Sequence, residues 1–224
     1  MPLGLSIQKL KEKRDLSGAE MEAALAAMMK GSVAREDIAE FLLALREKTP
    51  TIEELTAAAR VMRKFALRIS TRHPLVLDTC GTGGDKKNTF NISTISAFVA
   101  AGAGVAVAKH GNRSVSSRCG SADLLEALGI NLAIEPEHLS ECLDEVGIAF
   151  LFAQRLHPAM KNVASVRKEL GVETIFNILG PLTNPATATH QMIGVYDRDL
   201  LKPVVEVLKN LGSQRAMAVH GTDG

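Results

Sequence analysis

The segment Asp78-Thr79-Cys80-Gly81-Thr82-Gly83-Gly84-Asp85 constrains this chain more than any other, because it places three glycines in four positions directly after the short apolar run Leu75-Val76-Leu77-Asp78. Glycine has no Cβ, so such a loop can turn its backbone N–H groups toward a ligand at close range. Asn91-Ile92-Ser93-Thr94 then opens a helical pattern running from Ile92 to Ala101. A helix starting there aims its unpaired N–H groups and the positive end of its dipole at the same spot. Strand, glycine loop and helix start, in that order, describe a phosphate site. It is not a Walker loop, since no Gly-Lys-Ser/Thr closes it, and not the Rossmann fingerprint, since Lys86 stands where the third glycine belongs. The plainer alternative is a structural β–α turn, which would not need the side chains Thr82, Thr89, Ser93 and Thr94 nearby.

A second loop strengthens the reading. Lys109-His110-Gly111-Asn112-Arg113-Ser114-Val115-Ser116-Ser117 follows the next strand candidate, Gly102 to Ala108. Parallel strands put their carboxyl ends on one edge of a sheet, where ligands of open α/β sheets bind. Cations and small donors from this loop would face the glycine loop, and Ser121 is placed as N-cap of the helix that follows, a second anchor for phosphate. Any one of these lysines or arginines alone reads as a solvated surface charge; the loop as a whole does not. His110 suits a general base by type, but a histidine packing the loop is the simpler reading. Cys80 has no paired base in view and reads as packing.

The remaining pattern sets the fold class. Before Pro74 the chain is helical. Ser17-Gly18-Ala19-Glu20 and Thr51-Ile52-Glu53-Glu54 are capping boxes, and Leu16 can staple onto Met21. Apolar residues follow at helical spacing: Met21, Leu25 and Met28, then Ile38, Phe41, Leu42 and Leu45. They exceed what short helices can hide among themselves, which predicts a dimer contact through them. After Pro74, strand candidates Ile148–Phe152, Gln191–Tyr196 and Ala216–Val219 alternate with helical patterns at Asp123–Leu128, Glu137–Glu145 and Leu200–Leu211. The expected architecture is α/β: a small all-helical domain over 1–72, and a larger α/β domain over 73–224 with a mainly parallel central sheet. The segment 158–187, a helical pattern followed by the turn-rich FNILGPLTNPA, breaks the βα rhythm and is expected to pack with the N-terminal helices.

Composition narrows the function classes. With 224 residues, 46% of them hydrophobic, the chain is long enough to bury about 70% of its unfolded surface. Lys+Arg 26 against Asp+Glu 25 leaves a net charge of +1, with no basic footprint for nucleic acid and no polybasic membrane signal. Cys80, Cys119 and Cys142 cannot all pair with one another, and Cys119 and Cys142 lack metal-ligand spacing, so the three read as free thiols of a cytosolic protein. The opening MPLGLSIQKLKEKRD is too charged for a secretory or spanning segment, and the expected location is cytoplasmic.

Taken together, GTGGD, NIST, KHGNRSVSS, the Gly120-Ser121-Ala122-Asp123 helix start and FNILGPLTNP resemble the anthranilate phosphoribosyltransferases, and the resemblance covers nearly the entire chain. It implies a nucleoside phosphorylase/phosphoribosyltransferase type of fold, a cytoplasmic homodimer, and transfer of phosphoribose from phosphoribosyl diphosphate to the amino group of anthranilate, with Mg²⁺, in tryptophan biosynthesis. It implies that Gly81, Gly84 and Asp85 hold the sugar diphosphate, and that Thr89, Asn91, Ser93 and Thr94 grip its phosphates, Ser93 also as a Mg²⁺ ligand. Lys109, Asn112, Arg113, Ser114, Ser116, Ser117 and Ser121 match the rest of that pocket, while Gly81, Asn112 and Arg167 match positions that contact anthranilate. An arginine suits an aromatic carboxylate because its planar fork binds both oxygens. No general base is implied, because the amine is already a neutral nucleophile.

Two departures stand out: Glu173 where the family usually has arginine, and Lys86-Lys87 in place of small residues after GTGGD. The sequence given also stops at His220-Gly221-Thr222-Asp223-Gly224, whereas the resemblance implies a following Asp-Glu pair that ligates Mg²⁺ and a further stretch of the larger domain. If the chain ends here, the expectation is that it keeps much of the phosphate-loop architecture and loses most metal-assisted turnover; the alternatives are that a separate polypeptide supplies the remainder or that the sequence is a fragment of a longer active enzyme. The alternatives left open are a pyrimidine nucleoside phosphorylase-like enzyme, and a catalytically silent paralogue that binds nucleic acid or another partner.

Overall fold

The computed structural model describes residues 3–84, 90–114 and 119–222. The chain divides into two compact units, Met1–Ala66 with His157–Thr183, and Leu67–Leu156 with Asn184–Gly224. The sequence reading set the first boundary at 72/73 and the returning segment at 158–187; the units divide a few residues earlier in each case.

In the helical unit, α1 (Leu3–Lys11), α2 (Gly18–Met29), α3 (Arg35–Lys48) and α4 (Ile52–Phe65) are joined by α9 (Lys161–Leu170) and α10 (Ile175–Leu179) from the returning segment. Both capping boxes form: Ser17 accepts from Glu20 N while Glu20 reaches back to Ser17 N, and Thr51 and Glu54 do the same. Glu54 does more than cap. Fully buried, it accepts Leu16 N at 2.8 Å and Thr51 N at 2.7 Å and pairs with Lys48 Nζ at 2.9 Å, tying the entry of α2, the end of α3 and the start of α4 together. The returning segment is fastened by polar bonds as well as packing: Asn162 Nδ2 donates to Met29 O at 2.7 Å, and Arg63 Nε to Leu182 O at 2.9 Å. That extra cover corrects one expectation. Met21, Leu25, Met28, Ile38, Phe41, Leu42 and Leu45 are all buried within the single chain, so none of them needs a partner subunit to hide it.

The α/β unit is built on a five-stranded sheet in the order β3-β2-β1-β4-β5, with every pairing parallel. Its strands are β1 (Leu77–Gly81), β2 (Val107–Gly111), β3 (Ile148–Phe152), β4 (His190–Gly194) and β5 (Arg215–Val219). The helices α5 (Ile92–Gly102), α6 (Ser121–Ala127), α7 (Pro136–Val146) and α11 (Leu201–Asn210) connect them, with a short α8 (Ala153–Leu156) after β3. The chain lays β2 and β3 on one side of β1, then crosses to lay β4 and β5 on the other. The order reverses between β1 and β4, and the crevice at the carboxyl ends of such strands is where open α/β sheets bind ligands. Ile69, Val76, Ala108, Leu139, Leu143, Ala149, Leu151 and Leu156 form a core against this sheet.

The first two strands are displaced toward the carboxyl end of their apolar runs, β1 running from Leu77 into Cys80 and Gly81 of the glycine segment. Gly102 ends α5 and Gly104 turns with φ +88°, so the first half of the apolar run Gly102–Ala108 belongs to the helix exit, while β2 runs on through Lys109, His110 and Gly111. Hydropathy hid the strand because its polar side chains are buried and bonded. Among the described residues no helix is long and apolar enough to cross a membrane.

Glu54→Ala is expected to cost about 2–5 kcal/mol of stability in urea unfolding, because it orphans the backbone donors Leu16 N and Thr51 N and leaves Lys48 with Asp15 as its remaining partner. Glu53→Ala, which removes only an exposed bond to Gly18 N, is expected to cost about 1 kcal/mol or less. Burial also lowers the pKa of His157 to about 4. The unfolded chain takes up a proton at this residue near pH 6.5 while the folded chain does not, so this contribution is complete above that value and is lost as pH falls toward 4. Between pH 7 and 5 it amounts to about 2 kcal/mol, and His157→Gln should show a correspondingly flatter acid limb in urea titrations.

Candidate functional site

The glycine loop leaves β1 at the point where the sheet order reverses. Pairing with β4 continues past the strand end: Thr82 N donates to Gly194 O at 2.9 Å, and Tyr196 N donates to Thr82 Oγ1 at 3.2 Å. Gly83 and Gly84 follow with φ +67° and +84°, a backbone region that side-chain-bearing residues rarely occupy. At Gly81 a Cβ would sit 3.3 Å from Gly194 O, a tight contact with backbone. The loop therefore needs these glycines for its own shape.

Helix α5 begins beside β1. Thr79 Oγ1 donates to Ser93 O at 2.7 Å, and Asn91 occupies the N-cap position without capping, its amide donating instead to Gly120 O at 3.3 Å. Asn91 thus joins the start of α5 to the start of α6. Thr94 is buried and its hydroxyl has no hydrogen-bond partner among the described residues. Lys109 sits between the two elements. Only 2% exposed, it sends its ammonium to Thr79 O at 2.7 Å and Ser93 Oγ at 3.2 Å. Burial lowers the pKa of this lysine, against the negative charge of Asp78, while burial and Asp78 push the Cys80 thiol well up, leaving it protonated and unreactive. Lys109 and His110 belong to strand β2 rather than to a loop, and His110 is buried with its N–H donated to Asp78 Oδ1 at 3.0 Å.

The second loop is held by a carboxylate. Asp123 Oδ2 accepts from both Ser114 N at 3.0 Å and Gly120 N at 2.8 Å, drawing the two ends of the loop together. These N–H bonds, with help from Arg113, keep Asp123 below the usual carboxylate range. Three expectations change here. Arg113 does not present an open charge: its guanidinium grips Glu126 at 2.7 and 2.9 Å and Asp123 at 3.0 Å, and lies over the Phe152 ring at 5.7 Å. Ser121 is not the N-cap; Gly120 is, at a place where a Cβ would collide with the backbone of Arg113 and Ser114. The start of α6 is also closed by its own acid, since Gly120 N is taken by Asp123 and Ala122 N by Asn112 O at 3.2 Å, which disfavours an anion there.

Asn112, directly after β2, accepts through Oδ1 from Arg113 N at 2.8 Å and Gln154 Nε2 at 3.3 Å. Arg167 lies in the helical unit on α9, its guanidinium over the Phe176 ring at 5.2 Å and Nη2 bonded to Asn177 Oδ1 at 3.3 Å. Asp85, Thr89, Ser116 and Ser117 lie outside the described residues. The structure brings together Gly81, Gly84, Asn91, Ser93, Thr94, Lys109, Asn112, Ser114 and Ser121 around the ends of β1 and β2 and the starts of α5 and α6. Sequence reasoning passed over Asp78, whose only signal was an acid inside an otherwise apolar strand. Among the described residues no group of three His, Cys, Asp or Glu could hold a metal ion.

The open parallel sheet carries a glycine loop at its switch point and a buried lysine on the neighbouring strand. The chain belongs to a glycosyl transferase family: residues 73–224 match the model of its a/b domain, and residues 6–66 that of its helical bundle domain. It is similar to an anthranilate phosphoribosyltransferase of Symbiobacterium thermophilum, 58% identical over 218 residues that make up 97% of this chain and 64% of that protein. Among solved structures it is similar to the anthranilate phosphoribosyltransferase of Thermus thermophilus, with a TM-score of 0.93 and 47% identity over 97% of this chain and 66% of that one. The same enzyme from Saccharomyces cerevisiae, in complex with PRPP and Mg, gives a TM-score of 0.92 at 28% identity over 99% of this chain and 66% of that one. The chain thus spans somewhat under two thirds of the length of these relatives, and the resemblance read from its motifs holds along it.

Gly84→Ala is expected to distort the loop, because alanine at φ +84° is strained. Affinity for inorganic diphosphate, followed by calorimetry, should fall about tenfold or more, with the circular dichroism of the protein unchanged.

Proposed function

We propose that this chain binds phosphoribosyl diphosphate at the carboxyl end of β1 and serves the transfer of its phosphoribosyl group to the amino group of anthranilate. A C–N bond forms at the anomeric carbon, the C–O bond to diphosphate breaks, and the amine gives up a proton to water. The observation that carries the reading is the positive-φ pair Gly83-Gly84 at the switch point, with the buried ammonium of Lys109 between the end of β1 and the start of α5.

The hard part of this reaction is holding negative charge on the departing group while the sugar becomes cationic. The N–H groups of Gly83 and Gly84, the positive end of the α5 dipole and the charge of Lys109 serve that charge in this reading, since oriented groups stabilise it with little reorganisation. Ser93, the buried hydroxyl of Thr94 and the Asn112 side chain supply further polar contacts. Arg167 fits the carboxylate of anthranilate by its planar fork, and stacking on Phe176 sets the plane of the guanidinium. Arg113, held by Glu126 and Asp123, shapes the second loop rather than meeting phosphate.

Magnesium belongs to the reading through the diphosphate. Ser93 offers a hard oxygen, but one hydroxyl already bonded by an ammonium does not make a metal cage, so the described residues alone do not fit the ion. Mg²⁺ commonly binds through substrate phosphates with few protein ligands. The reading also places the protein in the cytoplasm as a homodimer, with a contact made by residues other than the buried apolar set of α2 and α3.

The test is a thermal-shift titration of the full chain. Phosphoribosyl diphosphate with Mg²⁺ should raise the melting temperature in a concentration-dependent way, and anthranilate should add to it once the sugar diphosphate is present. In the same mixtures, loss of anthranilate fluorescence reports transfer. Stabilisation by inorganic phosphate and a pyrimidine nucleoside, with none from the sugar diphosphate, would overturn the reading in favour of a nucleoside phosphorylase.

A further inference from the structure

Strands β1 and β4 pair in register from Leu77↔His190 to Gly81↔Gly194, and the glycine loop departs one residue later. In a continuing parallel ladder, residue 82 would make both of its bonds to β4 with backbone groups: its N–H to the carbonyl of residue 194, and its carbonyl to the N–H of residue 196. The first bond forms, Thr82 N donating to Gly194 O at 2.9 Å. The second is made by a side chain, with Tyr196 N donating to Thr82 Oγ1 at 3.2 Å. The Thr82 hydroxyl thus does what its own carbonyl would do in a longer strand. The backbone leaves the ladder at once, Gly83 and Gly84 following with φ +67° and +84°.

The partner across the seam is itself fixed. Val195 N donates to Val219 O at 2.9 Å, and Val195 O lies 3.0 Å from the ring Nδ1 of His220, so the exit of β4 is held from the β5 side. The Thr82 hydroxyl has one proton to give, with Gly83 O at 3.3 Å and Gly194 O at 3.5 Å, and the shorter contact ties the Gly83–Gly84 peptide back to the strand end. That peptide is trans, so its carbonyl and N–H point in opposite directions, and the same bond turns the Gly84 N–H away from Thr82. Two successive glycines make the turn possible but leave it loose, since glycine accepts many conformations. A donor that meets an anion without reorganising needs something else to hold it.

We propose that Thr82 is a positioning residue for the glycine loop: its hydroxyl accepts Tyr196 N in place of a strand carbonyl and, through Gly83 O, sets the direction of the Gly84 N–H that meets the diphosphate. The diphosphate rests on the function proposed above, whereas the hold of Thr82 on the loop does not.

The test compares two variants of the full ¹⁵N-labelled chain: Thr82→Val, which keeps the shape of the side chain without its hydroxyl, and Thr82→Ser, which keeps the hydroxyl. With no ligand present, Thr82→Val is expected to speed hydrogen exchange of the Tyr196 amide about tenfold or more and to shift the Gly84 amide signal, while Thr82→Ser stays close to the parent. Calorimetry with inorganic diphosphate, and with phosphoribosyl diphosphate plus Mg²⁺, should show affinity reduced about tenfold or more in Thr82→Val and within about threefold of the parent in Thr82→Ser. Parent-like exchange or parent-like affinity in Thr82→Val would overturn the inference. An equal loss of affinity in both variants would also overturn it, because the methyl group and not the hydroxyl would then be responsible. A parent chain that binds neither anion, while the Tyr196 and Gly84 amides still respond to loss of the hydroxyl, would remove the functional reading and leave the hold on the loop standing. If Thr82→Val does not fold, Thr82→Ala takes its place with the same expectations, and a tenfold loss in Thr82→Ser contradicts the proposal in either case.

Discussion

The site depends on one buried positive charge. Lys109 stands on a central strand with its ammonium spent on the Thr79 carbonyl and the Ser93 hydroxyl, a place where a cation survives only if the surrounding fold compensates for its lost water. The compensation comes from the neighbouring strand. Asp78 stands in for part of a β-ladder by accepting the N–H of His110, and its charge opposes, without cancelling, the pull of burial on Lys109. The glycine loop continues from the same strand as Asp78, and Ser93, which shares the Lys109 ammonium, lies in the first turn of α5.

Topology explains why this arrangement is available here. A strand crossing from one side of β1 to the other opens a crevice between the loops that follow β1 and β4, and Thr82 bridges that crevice through its bonds to Gly194 and Tyr196. The second loop closes differently. Asp123 gathers Ser114 N and Gly120 N, and Arg113 locks Asp123 and Glu126 together over Phe152. A cation that looks like a phosphate ligand in sequence is thereby consumed in building the loop. Charge count alone cannot make this distinction; only its partners can.

What was legible in the sequence was local. Both capping boxes, the strand Ile148–Phe152 and the helix beginning at Ile92 depend on residues within a few positions of one another, and they form where the pattern places them. The glycine loop was legible because a positive-φ turn leaves a compositional mark. Long-range pairing was not. The bond from His110 N to Asp78 joins residues 32 apart, and that from Asn162 to Met29 joins residues 133 apart. Without them β2 looked like a loop after Ala108, and the apolar stripes of α2 and α3 looked too large for one chain. Ser121 was misplaced by one residue because a serine is the commoner N-cap, whereas close backbone packing there admits only glycine.

The central claim is that a sugar diphosphate binds at the switch point through the glycine loop, the start of α5 and Lys109. The most direct measurement is a two-dimensional NMR titration of the ¹⁵N-labelled chain with phosphoribosyl diphosphate and Mg²⁺. The account predicts that the largest shifts fall on the amides of Gly83, Gly84, Ser93 and Thr94 and on the Lys109 ammonium, while amides buried in the helical unit, such as Leu25 and Leu42, stay in place. Shifts concentrated in the helical unit, for instance on Ala23, Ala27 and Val33 around its own surface cavity, with the glycine loop unmoved, would contradict it.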